Sequence, residues 1–99
     1  MLNINKTLAG TALNISLEGR LDTMTAPELE SELSANLGGV ESLVFDLAKL
    51  EYISSAGLRV LLSAQKTMNK QGTMVVRNAT EEVKEIFEVT GFSDILTIE

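Results

Sequence analysis

A mixed α/β fold is what this sequence predicts: one largely parallel β-sheet with an N-terminal antiparallel hairpin and flanking helices. Two observations predict it. Stretches in which apolar and polar residues alternate give way to stretches with helical spacing, in the order β-β-α-β-α-β-α-β. Helices that separate strands imply right-handed crossovers and parallel neighbours, whereas the first two strands are joined by a short turn and must run antiparallel. The length of 99 residues suits a single domain spanning 1–99.

The elements follow in order. Leu2 and Ile4 alternate with Asn3 and Asn5, then Leu13, Ile15 and Leu17 with Asn14, Ser16 and Glu18. Ala9-Gly10-Thr11 supplies the hairpin turn between these half-buried strands, and the second strand runs out through Gly19-Arg20-Leu21-Asp22. Thr25-Ala26-Pro27-Glu28 has the form of a capping box, with Thr25 as N-cap and Pro27 tolerated in the first turn. Leu29, Leu33 and Leu37 line one face of that helix, and Gly38-Gly39 stops it. Leu43-Val44-Phe45 is a continuous apolar run, as expected of a strand covered on both faces.

Tyr52 and Ile53 are again β-type, then break into Ser54-Ser55-Ala56-Gly57. Leu58, Leu61, Leu62, Gln65 and Met68 follow helical spacing up to Gly72, and Thr73–Val76 returns as a strand. Thr80 caps a third helix with Glu81 and Glu82 in its first turn, where acidic side chains suit the helix dipole. Val83, Ile86, Phe87 and Thr90 form its inner face, Gly91 ends it, and Phe92 can pack back on its last turn. Ile95, Leu96 and Ile98 suggest a final edge strand.

Composition excludes several classes of function. A hydrophobic content of 44% argues against disorder. Cysteine and histidine are both absent, which removes disulfides, thiolate or imidazole metal sites and Ser-His or Cys-His nucleophile pairs. An all-carboxylate Mg²⁺ or Ca²⁺ site stays formally open, but no DxDxDG-type loop appears, and neither metal nor cofactor is expected. The net charge of −6 repels phosphate backbones, and 4% aromatic residues offer few stacking platforms, which argues against nucleic-acid binding. No apolar run approaches the ~20 residues that span a bilayer, and MLNINK lacks a basic region with an apolar block. The expectation is a cytoplasmic protein without direct membrane insertion.

The serine turn carries most of the functional signal. It places a hydroxyl at the start of a helix, where free N–H groups and the dipole favour negative charge. A serine before a helix is also an ordinary N-cap. Two serines stand where one cap suffices, however, and Ala56 and Gly57 are small enough to let another protein approach, with Gly57 expected to leave the backbone uncovered. Asp22 and Asp46 each follow an expected strand, so both could face the end of the sheet that carries Ser55. As an acid/base pair they are weak, because nothing in the sequence fixes their separation. The turn glycines assemble no GxGxxG or GxxxxGK[ST] phosphate cradle.

LVFDLAKLEYISSAGLRVLL resembles the signature of STAS-domain anti-sigma factor antagonists: a strand, Asp-Leu, a spacer, then Ser-Gly-Leu and a helix. GRLDTMTAPELESEL is similar to the earlier family segment Gly-x-Leu-Asp followed by Thr-Ala. The likeness covers nearly the whole chain. It implies a mixed sheet flanked by helices, in agreement with the element order, and a regulatory binding module in place of an enzyme.

The resemblance also assigns residues. The family's phosphorylated serine falls on Ser55, with Ser54 as a second candidate acceptor, and the partner-binding surface on Asp22, Asp46, Ser54, Ser55, Ala56, Gly57 and Leu58. Ser54 stands where the family usually has aspartate, and Ala56 where it usually has a second Ser or Thr. The implied partners are an anti-sigma factor serine kinase of the GHKL type and a phosphatase. The alternative is a non-switching STAS subunit or scaffold, for example of a membrane lipid-transport ATPase. An enzyme using Ser55 as nucleophile lacks a base, with Lys49 a candidate only by proximity in sequence.

Overall fold

The computed structural model describes residues 2–99. Strands β1 (Leu2–Ala9), β2 (Ala12–Leu21), β3 (Ser42–Ile53) and β4 (Thr73–Arg77) form one sheet in the order β1-β2-β3-β4. β1 and β2 are antiparallel around a turn at Gly10, whose φ of +61° suits a residue without a Cβ. β2–β3 and β3–β4 are parallel, joined through helices α1 (Ala26–Asn36) and α2 (Ser55–Gln71). Helix α3 (Glu81–Thr90) follows β4 and leads into a 3₁₀ turn at Phe92–Asp94.

Alternation along the strands decides where the core lies. Leu13, Ile15 and Leu17 of β2, Leu43, Phe45 and Leu47 of β3, and Met74 and Val76 of β4 are all buried in one cluster. The helices add Leu29 and Leu33, then Leu58, Leu61 and Met68, then Val83 and Phe87 to the same cluster. Burial of each such side chain contributes about 1.5–3 kcal/mol, so packing holds the helices on the sheet. The intervening strand residues point the other way. Asn5, Thr7, Asn14, Ser16, Val44, Asp46 and Arg77 border a shallow depression lined by strand residues alone.

This arrangement corrects the expectation that Leu43–Phe45 is covered on both sides. Val44 is half-buried on the open face while its neighbours are fully enclosed. β3 is also much longer than that apolar run suggests. It continues through Ala48 and Lys49 to Ile53, with register shifts against β2 between Ser16 and Glu18 and between Gly19 and Arg20. Such bulges re-aim a strand without ending it.

Smaller differences lie at the helix ends. Thr25 forms no capping box: its backbone is already helical, and its side chain makes no cap hydrogen bond. Its hydroxyl accepts from Asp22 N (2.8 Å) and donates to the Arg20 carbonyl (2.8 Å), bracing the exit of β2. Thr80 does cap α3, accepting from Val83 N at 3.3 Å, and Gly91 ends that helix with φ +82°. Thr90 is exposed, its hydroxyl turned back onto the Ile86 carbonyl (2.6 Å). The expected edge strand at Ile95–Ile98 shrinks to a single parallel bridge between Val76 and Ile98, because the 3₁₀ turn takes up the residues before it.

Gly72 closes α2 against the start of β3. A Cβ at this position would overlap the Glu41 backbone carbonyl, which also accepts from Thr73 N at 3.0 Å. Backbone yields less than a flexible side chain, so Gly72→Ala should cost about 3 kcal/mol and lower Tm by more than roughly 10 °C. Thermal unfolding followed by circular dichroism checks this. An unchanged Tm would show that the α2–β4 junction is looser than its geometry implies.

Candidate functional site

The site grows from the parallel ends of β2 and β3. Leu21 and Ile53 are register partners, and Ser54 N donates to the Leu21 carbonyl at 2.8 Å, carrying the ladder one residue past the strand. Ser54 is extended (φ −94°, ψ 175°), and its Oγ accepts from Gly57 N at 3.3 Å, which makes it the N-cap of α2. Ser55 is therefore the first helical residue and is exposed, with no hydrogen bond from its hydroxyl among the described residues. The two serines divide two tasks, one capping and one facing solvent.

Gly57 does not leave the backbone uncovered, as the sequence suggested. It is buried, and a Cβ would lie 2.7 Å from Leu21 Cγ and 2.9 Å from Ile53 Cγ1. The first turn of α2 thus rests directly on the ends of β2 and β3, and glycine is what permits that approach. Leu58 is buried as well. Among the four turn residues and Leu58, the accessible surface comes from Ser55, with Ser54 and Ala56 half-buried beside it.

Asp22 reaches the same end of the sheet. Its Oδ1 accepts from Met24 N (3.0 Å) and Thr25 N (3.1 Å), and its carbonyl accepts from Ala26 N (2.8 Å), so the aspartate organises entry into α1. Partial burial pushes its carboxyl pKa up. The hydrogen bonds from the Thr25 and Met24 amides and the Thr25 hydroxyl, with the charge of Arg20, outweigh this and hold it below the ordinary value of 3.8. Met24, between these anchors, is 84% exposed and projects from the loop.

Asp46 lies elsewhere. It sits within β3, opposite Ser16 and Arg77, and its Oδ1 accepts from Ala48 N at 3.0 Å. With about 3.3 Å per residue, the rest of β3 puts it some ~20 Å from the serine turn. The structure brings Asp22, Ser54 and Ser55 together and leaves Asp46 on the open sheet face. The cause is the length of β3: its end is Ile53, not Phe45.

Three other features lie near this end of the sheet. Arg59 stands one turn along α2 and is exposed; with Thr23, Ala26, Pro27, Glu30 and Ala56 it borders a cleft of about 230 Å³ between α1 and α2. Arg20 stacks over Tyr52 at 4.5 Å from the ring centroid. Met24 is the third. The i, i+4 spacing of Ser55 and Arg59 was a signal open to sequence reading, whereas the Arg20–Tyr52 stack depends on strand register. No cluster of three or more potential metal ligands occurs among the described residues. Among the described residues the Ser55 hydroxyl makes no hydrogen bond to a base, so nothing in the turn activates it as a nucleophile.

Comparison with known proteins shows the family and the fold. The family model of the STAS domain matches residues 3–99. BtrV of Bordetella bronchiseptica, a candidate anti-sigma factor antagonist, is 40% identical over 84 residues, which cover 83% of this chain and 72% of that protein. An anti-sigma factor antagonist from Mycobacterium paratuberculosis superposes with a TM-score of 0.89 at 22% identity, covering 99% of this chain and 85% of its own. The Bacillus cell fate determinant SpoIIAA, solved in its phosphorylated form, superposes with a TM-score of 0.75 at 16% identity, covering 100% of this chain and 91% of its own.

Two predictions follow from the hydrogen bonds described. Ser54→Ala removes the N-cap and should cost about 1 kcal/mol, whereas Ser54→Asp keeps an acceptor at the cap and should stay within about 0.5 kcal/mol of the parent. Urea unfolding of both variants checks the difference. For Asp22 the sign follows from its lowered pKa. Its ionised form stabilises the fold fully above about pH 4, and that contribution is lost as pH falls through the lowered folded-state value. The urea midpoint of Asp22→Asn should accordingly vary less than that of the parent between about pH 4 and pH 2.

Proposed function

This chain belongs to the STAS domain family, and we propose that it is an anti-sigma factor antagonist, a regulatory binding protein and not an enzyme. In its unmodified form it binds an anti-sigma factor, a serine kinase of the GHKL type, and so frees the sigma factor. The kinase transfers a phosphoryl group to Ser55, which releases the complex, and a phosphatase resets it. The single observation that carries this reading is the exposure of Ser55 at the start of α2 while Ser54 caps the helix and Gly57 is packed. The modified residue stands free of the interactions that hold the loop. BtrV and the Mycobacterium paratuberculosis protein, both named as antagonists or candidates, lend support.

The energetics are sufficient. A phosphate adds about −1.5 to −2 charges and three acceptor oxygens, on a chain whose net charge is already −6. A hundredfold loss of affinity needs only about 2.7 kcal/mol, within reach of one phosphate in a desolvated contact. The N–H groups at the start of α2 tolerate the added charge, so the change falls on the interface and not on the fold. No helix among the described residues is long and apolar enough to cross a membrane. We place the protein in the cytoplasm with its partners, without a nucleic-acid ligand.

Ser55→Ala should take no label from the cognate kinase with ATP and should keep parental affinity under those conditions. Ser55→Asp should fold normally and bind at least about tenfold more weakly, a loss of about 1.4 kcal/mol. Phosphosite mapping and titration calorimetry read the two outcomes. Label on Ser54, or tight binding by Ser55→Asp, would overturn the switch. Recovery of a lipid-transport ATPase with the protein from native lysate would favour a non-switching STAS subunit instead.

A further inference from the structure

We propose that Arg59 is the intramolecular counter-charge of a phosphate on Ser55, so that modification draws Arg59 away from the cleft between α1 and α2. The inference rests on the role of Ser55 given above and adds the residue that holds the modified state. Ser55 is the first helical residue of α2 and Arg59 stands four positions on. Residues at this spacing share a helix face with their Cβ atoms about 5–6 Å apart. A guanidinium reaches phosphate oxygens over that span and can bind two at once. Both side chains are exposed, so neither must leave a packed position to meet.

The other charges nearby sort themselves by partner. Arg20 is held by the Tyr52 ring (4.5 Å) and lies 3.9 Å from the Asp22 carboxylate. It sits on β2 beside Tyr52 of β3, on the side away from the buried Leu21 and Ile53 against which α2 packs. Arg59 makes no ion pair among the described residues. Glu30 of α1 borders the same cleft as Arg59. The first turn of α2 contains no acidic residue that would compete with a phosphate. Asp22 is satisfied by the Met24 and Thr25 amides. A doubly charged phosphate one helical turn away therefore attracts the guanidinium more strongly than Glu30, with which Arg59 forms no ion pair. The cleft wall formed by Thr23, Ala26 and Pro27 then keeps Glu30 and loses its cation. Phosphorylation would thus alter the charge of two adjacent surfaces, at Ser55 itself and in the cleft.

The test installs phosphoserine at position 55 during translation by codon suppression, so it needs no kinase. A chain that its kinase fails to label would overturn the functional reading and leave this experiment intact. Phosphorus NMR then follows the second ionisation of the phosphate in the full chain, with circular dichroism confirming the fold. Arg59→Gln should raise that pKa by about 0.2–0.4 units, as expected for loss of an exposed helical ion pair, while Arg20→Gln should match the parent. The Arg59 Nε–H resonance of the unsubstituted chain should move on phosphorylation, which a distant charge effect would not produce. Arg59→Lys, which keeps the charge without the fork, should fall between parent and Arg59→Gln. Equal pKa values for the parent and Arg59→Gln, a larger change in Arg20→Gln, or an unmoved Arg59 resonance would each overturn the proposal.

Discussion

Everything at the site depends on how closely α2 approaches the ends of β2 and β3. Gly57 is buried against Leu21 and Ile53, where even a methyl group would come within 2.7 Å of Leu21 Cγ. Glycine in a helix interior ordinarily costs about 0.5–1 kcal/mol relative to alanine. Here that cost is offset by burial of two side chains that are almost completely enclosed. The contact also fixes geometry. With the first turn seated on Leu21 and Ile53, and Ser54 N tied to the Leu21 carbonyl, Ser54 is held half-buried as the cap and Ser55 is left exposed.

The same end of the sheet is braced from its other side. Thr25 returns its hydroxyl to the Arg20 carbonyl, and Asp22 gathers the Met24 and Thr25 amides. The chain leaves β2 in a turn that is closed by its own side chains, and α1 starts immediately beyond it. Two loops with unrelated sequences are thus both rigid at their bases, with Met24 and Ser55 projecting. A surface of this kind can bind with little ordering cost in its backbone, since the bases of both loops are already held by hydrogen bonds.

Much of this was legible in the sequence because it is written locally. Thr80 as a cap, Gly91 as a left-handed stop and the turn at Gly10 each need only a few neighbouring residues, as does a serine cap on α2, though not which of its two serines serves. What the sequence concealed depends on residues far apart. β3 continues past Asp46 because β2 offers a bulged register for Glu18–Leu21, whereas the apolar run Leu43–Phe45 marked only the first part of the strand. That extension moved Asp46 away from the site. Val44 looked like a residue covered on both faces because apolar runs carry no directional information, and only the placement of all the helices on one side exposes it. Gly57 gave the right residue and the wrong surroundings: its smallness serves a contact inside the molecule.

The substitution of Ser54 for an acidic residue can be understood from the cap. At this position the structural requirement is an acceptor for Gly57 N, and a hydroxyl meets it as a carboxylate would. What the hydroxyl does not bring is a negative charge next to Ser55. A phosphate added beside an aspartate would face like-charge repulsion, which raises the free energy of the modified state. Beside Ser54 that repulsion is absent, and Arg59 supplies a positive charge one turn away. On the proposed switch, the balance of charge around Ser55 would favour retention of a phosphate more than an acidic neighbour would.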